Sequence, residues 1–270
     1  MKPLRFAAVG DNCIDRFSSP VGQSLIGGNA VNVAVQLARL GHRSFYFGAV
    51  GADANGSRTR QILQENAVQI DHIQERPGIT AYTDIDVLPS GERIMTFEDF
   101  GVCAGYAPSP AEVEILKSMD HVHIGWLDDG GALKRVLSTA GVSVSQDVSV
   151  NADPADRAVD GLTIAFGSAG ENDALSKSMI ADFLKQGAEI AVVTRGAQGS
   201  RASDGRTHAA TGVRSVAVVD TTGAGDSFIA GFLAARIAGL TLEACLETGR
   251  DHAALTCGHV GGFPQDPAPL

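Results

Sequence analysis

The chain has 270 residues, 44% of them hydrophobic and 32 of them glycine, with a formal net charge of −10. This length accommodates one large α/β domain with a small appendage, and the composition excludes disordered and fibrous classes. The negative balance argues against nucleic acid or an anionic membrane as partner, no apolar run reaches membrane-spanning length, and the four cysteines show no CxxC pair, so reduced thiols in a cytoplasmic protein are expected.

Residues 4–9 form an apolar run that ends in Gly10-Asp11-Asn12, a strand closing in a polar turn. Ligands of open parallel sheets bind beyond the carboxyl ends of strands, so Asp11 stands either at a binding edge or in an ordinary turn. Residues 14–26 contain Ser18-Ser19-Pro20 and read as a short excursion rather than a crossover helix. Gly27-Gly28 then opens a helix that stops at Gly41, with Asn29 and Asn32 on one face of its first turn. Two amides placed there suit a polyhydroxylated ligand; the alternative is that Asn29 caps the helix and Asn32 is solvated.

Residues 43–51 predict a strand and residues 55–66 a helix. Residues 79–88 alternate in polarity, Pro89-Ser90-Gly91 makes a turn and residues 93–97 return, a β-hairpin among βα units. Such a hairpin forms either a lid over a site or an edge extension of the main sheet. After Pro108, helices over 112–117, 132–140 and 173–187 alternate with strands over 122–125, 142–148, 163–166 and 189–194. That alternation indicates a mostly parallel sheet with helices on both faces. The strand at 189–194 ends at Thr194 in a loop spaced by Gly196 and Gly199, a candidate nucleotide contact, and Asp204-Gly205 marks a hairpin.

Residues 215–219 are apolar and β-branched and predict a further buried strand. They lead into Asp220-Thr221-Thr222-Gly223-Ala224-Gly225-Asp226-Ser227-Phe228, then into a helix marked by Phe228, Phe232 and Ala235. A strand-turn-helix junction with so little bulk points bare N–H groups outward at the positive end of a helix dipole, which makes an anion cradle. Asp226, just inside it, would repel a resting phosphate. It suits a base that takes a proton from a hydroxyl while the cradle receives charge on a transferring phosphoryl group, the plainer alternative being an acidic helix cap. No G-x-G-x-x-G follows the first strand and no G-x-x-x-x-G-K-[ST] occurs, so nicotinamide oxidoreductases and P-loop NTPases are disfavoured. A last helix is expected over 242–257, and the proline-rich tail at 263–270 is expected to pack loosely.

Gly27-Gly28-Asn29-Ala30-Val31-Asn32-Val33-Ala34 and the run from Asp220 to Phe228 together resemble, in order and separation, the two motifs of the ribokinase-like (PfkB) carbohydrate kinases. The resemblance spans nearly the whole chain. It implies one kinase domain over residues 1–270, a three-layer αβα sandwich on a mostly parallel sheet, with a small β-sheet lid from about 14–26 and 79–99. It implies ATP with Mg²⁺ as cofactors, Asp226 as base, Gly223, Ala224 and Gly225 as cradle, and Asp11, Gly27, Gly28, Asn29 and Asn32 as sugar contacts. Thr194, Gly196 and Gly199 match its nucleotide loop. Its Asn-x-x-Glu run corresponds here to Ser168-Ala169-Gly170-Glu171, so Glu171 is expected to reach Mg²⁺ through water. A monovalent cation beside residues 218–220 and a homodimer through the lid occur among relatives.

Within the family, Gly10-Asp11-Asn12-Cys13-Ile14-Asp15, Val122-His123-Ile124-Gly125-Trp126, Ser168 and Ile229-Ala230-Gly231-Phe232-Leu233 resemble the fructoselysine (fructosamine) 6-kinases. This implies phosphorylation of a primary hydroxyl at the 6-position, with the lid acids Asp84, Glu98 and Asp99 available to a cationic amine. A fructokinase or ribokinase-type sugar kinase, and a non-catalytic sugar-binding protein on the same fold, are the alternatives.

Overall fold

The computed structural model describes residues 3–18, 20–88 and 93–270. Its chain runs through β1 (Arg5–Val9), β2 (Cys13–Phe17), β3 (Gln23–Gly27), α1 (Asn29–Arg39), β4 (Arg43–Gly51), α2 (Ala54–Glu65) and β5 (Ile73–Arg76). The hairpin β6 (Tyr82–Val87) and β7 (Arg93–Asp99) follows, then α3 (Pro110–Leu116), β8 (His121–Ile124), α4 (Ala132–Thr139) and β9 (Val144–Asp147). After β10 (Ile164–Ser168), α5 (Asp173–Gln186) and β11 (Ile190–Thr194) come β12 (Ser200–Ser203), β13 (His208–Thr211), α6 (Ala224–Ile237), α7 (Leu242–Thr256) and β14 (Ala268–Pro269).

Nine strands form the large sheet in the order β13-β12-β11-β10-β9-β8-β1-β4-β5. All neighbours are parallel except β11 with β12 and β12 with β13. Successive residues on a strand face opposite sides, and both sides are covered. Phe6, Ala8, Phe166 and Val192 join a core with α1, α6 and α7, while Ala7, Val9, Ala165 and Val193 join a second with α3, α4 and α5. This is the expected three-layer αβα sandwich. The chain leaves β1 towards β4 and β5, then returns to β1's other side with β8. The order therefore reverses between β1 and β8, and a crevice opens beyond their carboxyl ends.

A second sheet of five strands, β14-β3-β2-β6-β7, stands apart from the first, so the hairpin is not an edge extension of the main sheet. Arg58 of α2 ties this sheet down, donating to Ser24 Oγ and Ser24 O at 2.8 Å. The turn expected at Pro89-Ser90-Gly91 lies outside the described residues, as does Ser19. Among the described residues no helix is long and apolar enough to cross a membrane.

Two expectations are corrected. Residues 215–219 are not a buried strand: Val218 and Val219 are 62% and 58% exposed in irregular backbone. Apolar β-branched residues make a strand only where an edge is offered. The chain after β13 is pinned instead to the end of α7, where Cys257 O accepts from Val219 N at 2.8 Å. Nor is the tail loose. Gln265 both donates to Ile26 O and accepts from Ile26 N at 2.8 Å, β14 pairs with β3, and Phe263 is fully buried. Proline is tolerated on such an edge strand, and the tail covers an edge that would otherwise be open.

Helices α6 and α7 approach through glycines. A Cβ at Gly249 would sit 2.8 Å from Phe228 O, and one at Gly231 3.0 Å from Thr248 O. Gly249→Ala should therefore lower stability by about 1–3 kcal/mol in a denaturant titration, through overpacking. A stabilised variant, as alanine's helix propensity advantage of ~1 kcal/mol alone would give, contradicts this packing.

Candidate active site

The start of α1 is built by close approach. Gly28 has φ +104°, and a Cβ there would lie 2.7 Å from Asn12 Cα; one at Gly27 would lie 2.7 Å from Asp15 Oδ2. With glycine at the N-cap, Asp11 supplies the missing acceptor from the end of β1. Its Oδ2 accepts from Asn29 N at 2.6 Å, and its Oδ1 from Ala30 N at 3.1 Å and Trp126 N at 3.0 Å. Asp11 thus clamps α1 to the segment after β8, at the reversal of strand order. Gly125 makes room, since a Cβ there would fall 2.7 Å from Asp11 Oδ1 and 2.8 Å from Asn29 Oδ1.

Asn29 and Asn32 project from this first turn onto Asp226, in the first turn of α6. Asn29 Nδ2 donates to Asp226 Oδ1 at 2.7 Å and to Asp147 Oδ2 at 3.1 Å, and Asn32 Nδ2 donates to Asp226 Oδ2 at 2.6 Å. Both amides are buried, so neither caps α1 nor is solvated. Gly223 has φ +73°, and a Cβ there would collide with Gly262 Cα, whereas Gly225 faces open space. No side chain caps α6. Among the described residues, the N–H groups of Gly223, Gly225 and Asp226 have no acceptor, while Ala224 N bonds to Thr221 O at 3.2 Å. These are the unsatisfied donors of a helix start, at the positive end of its dipole.

Asp226 is half-buried as a residue, but its carboxylate lies enclosed among other acids. Burial pushes it up to about 8; the amides of Asn32 and Asn29 oppose this, and the charges of Asp147 and Asp11 add to it. Burial also raises Asp147 and Asp11, so the three carboxyls titrate as one cluster.

Asp15, part of the Gly10–Asp15 run but assigned no role from sequence, stands beside the start of α1, where a Cβ at Gly27 would lie 2.7 Å from its Oδ2. It pairs in register with Thr83, and Thr83 with Glu98, so the three form one row across β2, β6 and β7. Burial pushes Asp15 up to about 7, opposed by a hydrogen bond with Cys13 and by Arg93, and reinforced by Asp220 and Glu98. The signal was the alternation of Cys13 and Asp15 on a short strand, hidden by the turn residues around it. Of the three lid acids, Asp84 is held by Arg16 at 2.7 and 2.9 Å, and Asp99 accepts from Gly101 N at 2.8 Å. Glu98 pairs with no cation among the described residues; partial burial and the charge of Asp11 raise it. Phe100, just past β7, stacks on Trp126 at 3.9 Å between centroids and walls the crevice.

Arg93 joins the lid strand β7 to the cradle turn. Its guanidinium pairs with Asp220, and its Nη1 donates to Thr222 Oγ1 at 3.2 Å. Asp220 also accepts from Gly261 N at 2.7 Å and from Thr222 N at 2.9 Å. Burial alone would raise Asp220, but Arg93 and these two N–H groups outweigh it and hold the carboxyl below its usual range.

At the far end of the edge, Ser168 and Thr194 stand in register as β10 and β11 end. Gly196 and Gly199 follow, with φ of +52° and +84°. A Cβ at Gly199 would collide with Thr211 O, and one at Gly196 would lie 3.7 Å from Glu171 Cγ. Glu171 is exposed beside this turn and has no ion pair or hydrogen bond among the described residues, whereas Arg195 is held by Asp173 at 3.1 Å. No group of three or more candidate metal ligands occurs among the described residues. A Mg²⁺ ion that arrives on phosphates and keeps several waters needs no such group, and the free N–H groups at the start of α6 suit the phosphates themselves.

A model of the pfkB family of carbohydrate kinases matches residues 22–268. The chain is similar to a fructoselysine 6-kinase of Escherichia coli (strain K12), 35% identical over 266 residues that cover 97% of this chain and 100% of that protein. It is similar also to a fructosamine kinase of Bacillus subtilis (strain 168), 30% identical over 268 residues, covering 96% and 93%. Among solved structures it resembles an Arabidopsis thaliana ribokinase complexed with ribose and ATP, with a TM-score of 0.87, 23% identity and coverage of 98% and 96%.

The raised Asp226 has a sign in stability. Below the unfolded value of 3.8 both states are protonated; above it the unfolded chain releases a proton that the folded state keeps up to about 8, so stability falls across that window. Asp226→Asn should raise the melting temperature above pH 8 by on the order of 2–4 °C, and the gain should vanish near pH 4. A gain independent of pH would contradict the raised carboxyl.

Proposed function

The chain belongs to the pfkB family of carbohydrate kinases and is a sugar kinase, and from that premise we propose that it transfers the γ-phosphoryl group of ATP to a primary hydroxyl of a fructosamine, fructoselysine or a close analogue, at the 6-position. One observation carries the reading. A carboxylate raised towards neutral pH, held by two asparagines, stands beside three unpartnered N–H groups at a helix start. In the proposed reaction Asp226 takes the hydroxyl proton as the sugar oxygen bonds to the γ-phosphorus and the bond to the β-phosphate bridging oxygen breaks. Within the Gly223-Ala224-Gly225 run, the N–H groups of Gly223 and Gly225 neutralise the moving charge, since that of Ala224 is taken by Thr221 O. Mg²⁺ would neutralise the phosphates, reached by Glu171 through water, and Thr194, Gly196 and Gly199 would line the nucleotide.

The sugar is assigned to the crevice between the two sheets, against Gly27, Gly28, Asn29, Asn32 and Asp15. Asp11 has its oxygens on three backbone N–H groups, which hold α1, and in this reading its remaining acceptor capacity serves the sugar together with Asp15. Asp15 and Glu98, one row of the lid, suit a substrate ammonium group because no basic side chain of the row neutralises them. Beside residues 218–220, Arg93 supplies positive charge to Asp220. Ile94, Met95 and Phe97, exposed on the lid at 42%, 74% and 53%, suit a homodimer of lids in the cytoplasm.

ADP release measured over fructoselysine, other fructosamines, fructose, ribose and nucleosides should respond best to the fructosamines. A response confined to ribose or nucleosides removes the substrate assignment. Asp226→Asn should lower kcat by at least about 10²- to 10⁴-fold with ATP affinity nearly unchanged, and wild-type kcat/KM for the sugar should climb with pH to a plateau above about 8. Retained turnover in the variant would falsify the assignment of the base.

A further inference from the structure

Two buried histidines have no part in the reaction above. His121 and His123 lie two apart on β8, so both face α1, and Ser143 and Ser145 face them from β9 and the residue before it. The contacts form one line. Ser143 Oγ meets His121 Nδ1 at 2.8 Å, His121 Nε2 meets Ser145 Oγ at 2.8 Å, Ser145 Oγ meets His123 Nδ1 at 2.9 Å, and His123 Nε2 meets Asn29 Oδ1 at 3.2 Å. Asn29 Nδ2 then reaches Asp226 and Asp147.

A line of hydroxyls and neutral imidazoles can run in either direction, because each member offers one donor and one acceptor. The carboxylates at its end choose between them. Asp147 and ionised Asp226 accept only, so Asn29 must turn its NH₂ towards them and its Oδ1 towards His123. His123 then carries its proton on Nε2 and accepts from Ser145 on Nδ1; Ser145 accepts from Nε2–H of His121, which accepts from Ser143. Every N–H and O–H donor from Ser143 to Asn29 then finds one acceptor, and the reverse order would set Asn29 Oδ1 against two carboxylates. Burial suits this, since it pushes both histidines down to about 3 and keeps them neutral.

We propose that His123, backed by Ser145 and His121, is a positioning residue for the kinase reaction: it holds the Asn29 amide in the one orientation that donates to Asp226. The proposal rests on the reading of Asp226 as the base. Without His123 the oxygen of Asn29 has no partner, and the amide, held on one side only by the carboxylates, loses its fixed line to Asp226 and can settle on Asp147 alone. The carboxyl then loses one of its two amide donors, while Asp11 and Asp147, the other titratable groups facing it, stay in place.

Long-range ¹H–¹⁵N spectra of the ligand-free protein test the line itself. His121 and His123 should both be Nε2–H tautomers, neutral from about pH 5 to 9; an Nδ1–H tautomer at His123 overturns the proposal. In kinetics, His123→Leu should lower kcat for the sugar on the order of 10- to 100-fold, leave the KM for ATP unchanged and move the rising limb of kcat/KM against pH upward by about half a unit or more. His123→Gln, which can still donate to Asn29 Oδ1, should restore most of both. Ser145→Ala, a smaller change that keeps the ring, should move the same limb in the same direction. An unmoved limb in His123→Leu and Ser145→Ala, with Asp226→Asn inactive, defeats the positioning role and leaves the base assignment intact. Turnover by Asp226→Asn would defeat the base assignment, and with it the positioning role.

Discussion

The carboxylate of Asp226 takes one hydrogen bond from Asn29 and one from Asn32, and through them the first turns of α1 and α6 become a single structure. A carboxylate withdrawn from water is costly unless donors meet it. The two amides meet this one, and most of the nearby glycines exist so that they can. Gly28 and Gly125 let Asp11 reach the start of α1, and Gly223 and Gly262 let the cradle turn pass against the tail and Asn32. Side chains at these positions would push the two helix starts apart. The contact still leaves Asp226 weakly acidic, because burial raises it and Asp147 and Asp11 share its neighbourhood. A stronger acid there would be a poorer base near neutral pH.

Two supports reach the same spot from opposite directions. From the lid, Arg93 holds Asp220 and Thr222, so the strand over the crevice also steadies the turn that carries the cradle. From within the sheet, the histidine and serine line across β8 and β9 ends on Asn29. The first is an ion pair between the lid strand and the turn before α6; the second is a chain of neutral groups fixed in direction by the acids at its end. The C-terminal tail adds a third restraint, with Gln265 on Ile26 and β14 along β3, just before the glycine pair that starts α1.

The order of elements and the place of the site were legible in the chain because they are local. Alternation of strands and helices, glycines at helix starts and an acid one turn past a glycine-rich run depend on residues close in sequence. Residues 215–219 show the limit of that reasoning. Their valines carry the pattern of a buried strand, yet no sheet edge receives them, and an edge is supplied only by the rest of the fold. The tail shows the reverse: its prolines suggest looseness, but its partner is a strand more than 200 residues earlier in the chain, at Ile26.

The sequence by itself determined the alternation behind the sandwich and the glycine-rich turn at Gly223 to Gly225 with an acid beside it, because helix and strand periods and backbone freedom at glycine are properties of short stretches; that Asn29 and Asn32 meet that acid came only with the fold. Only the tertiary structure decided that Asp11 serves the start of α1, that Asp15 and Glu98 share a row, and that His123 reaches Asn29. Each of those relations joins residues from separate elements, and what an ionisable or amide group does there depends on the partners that folding brings within about 3 Å of it.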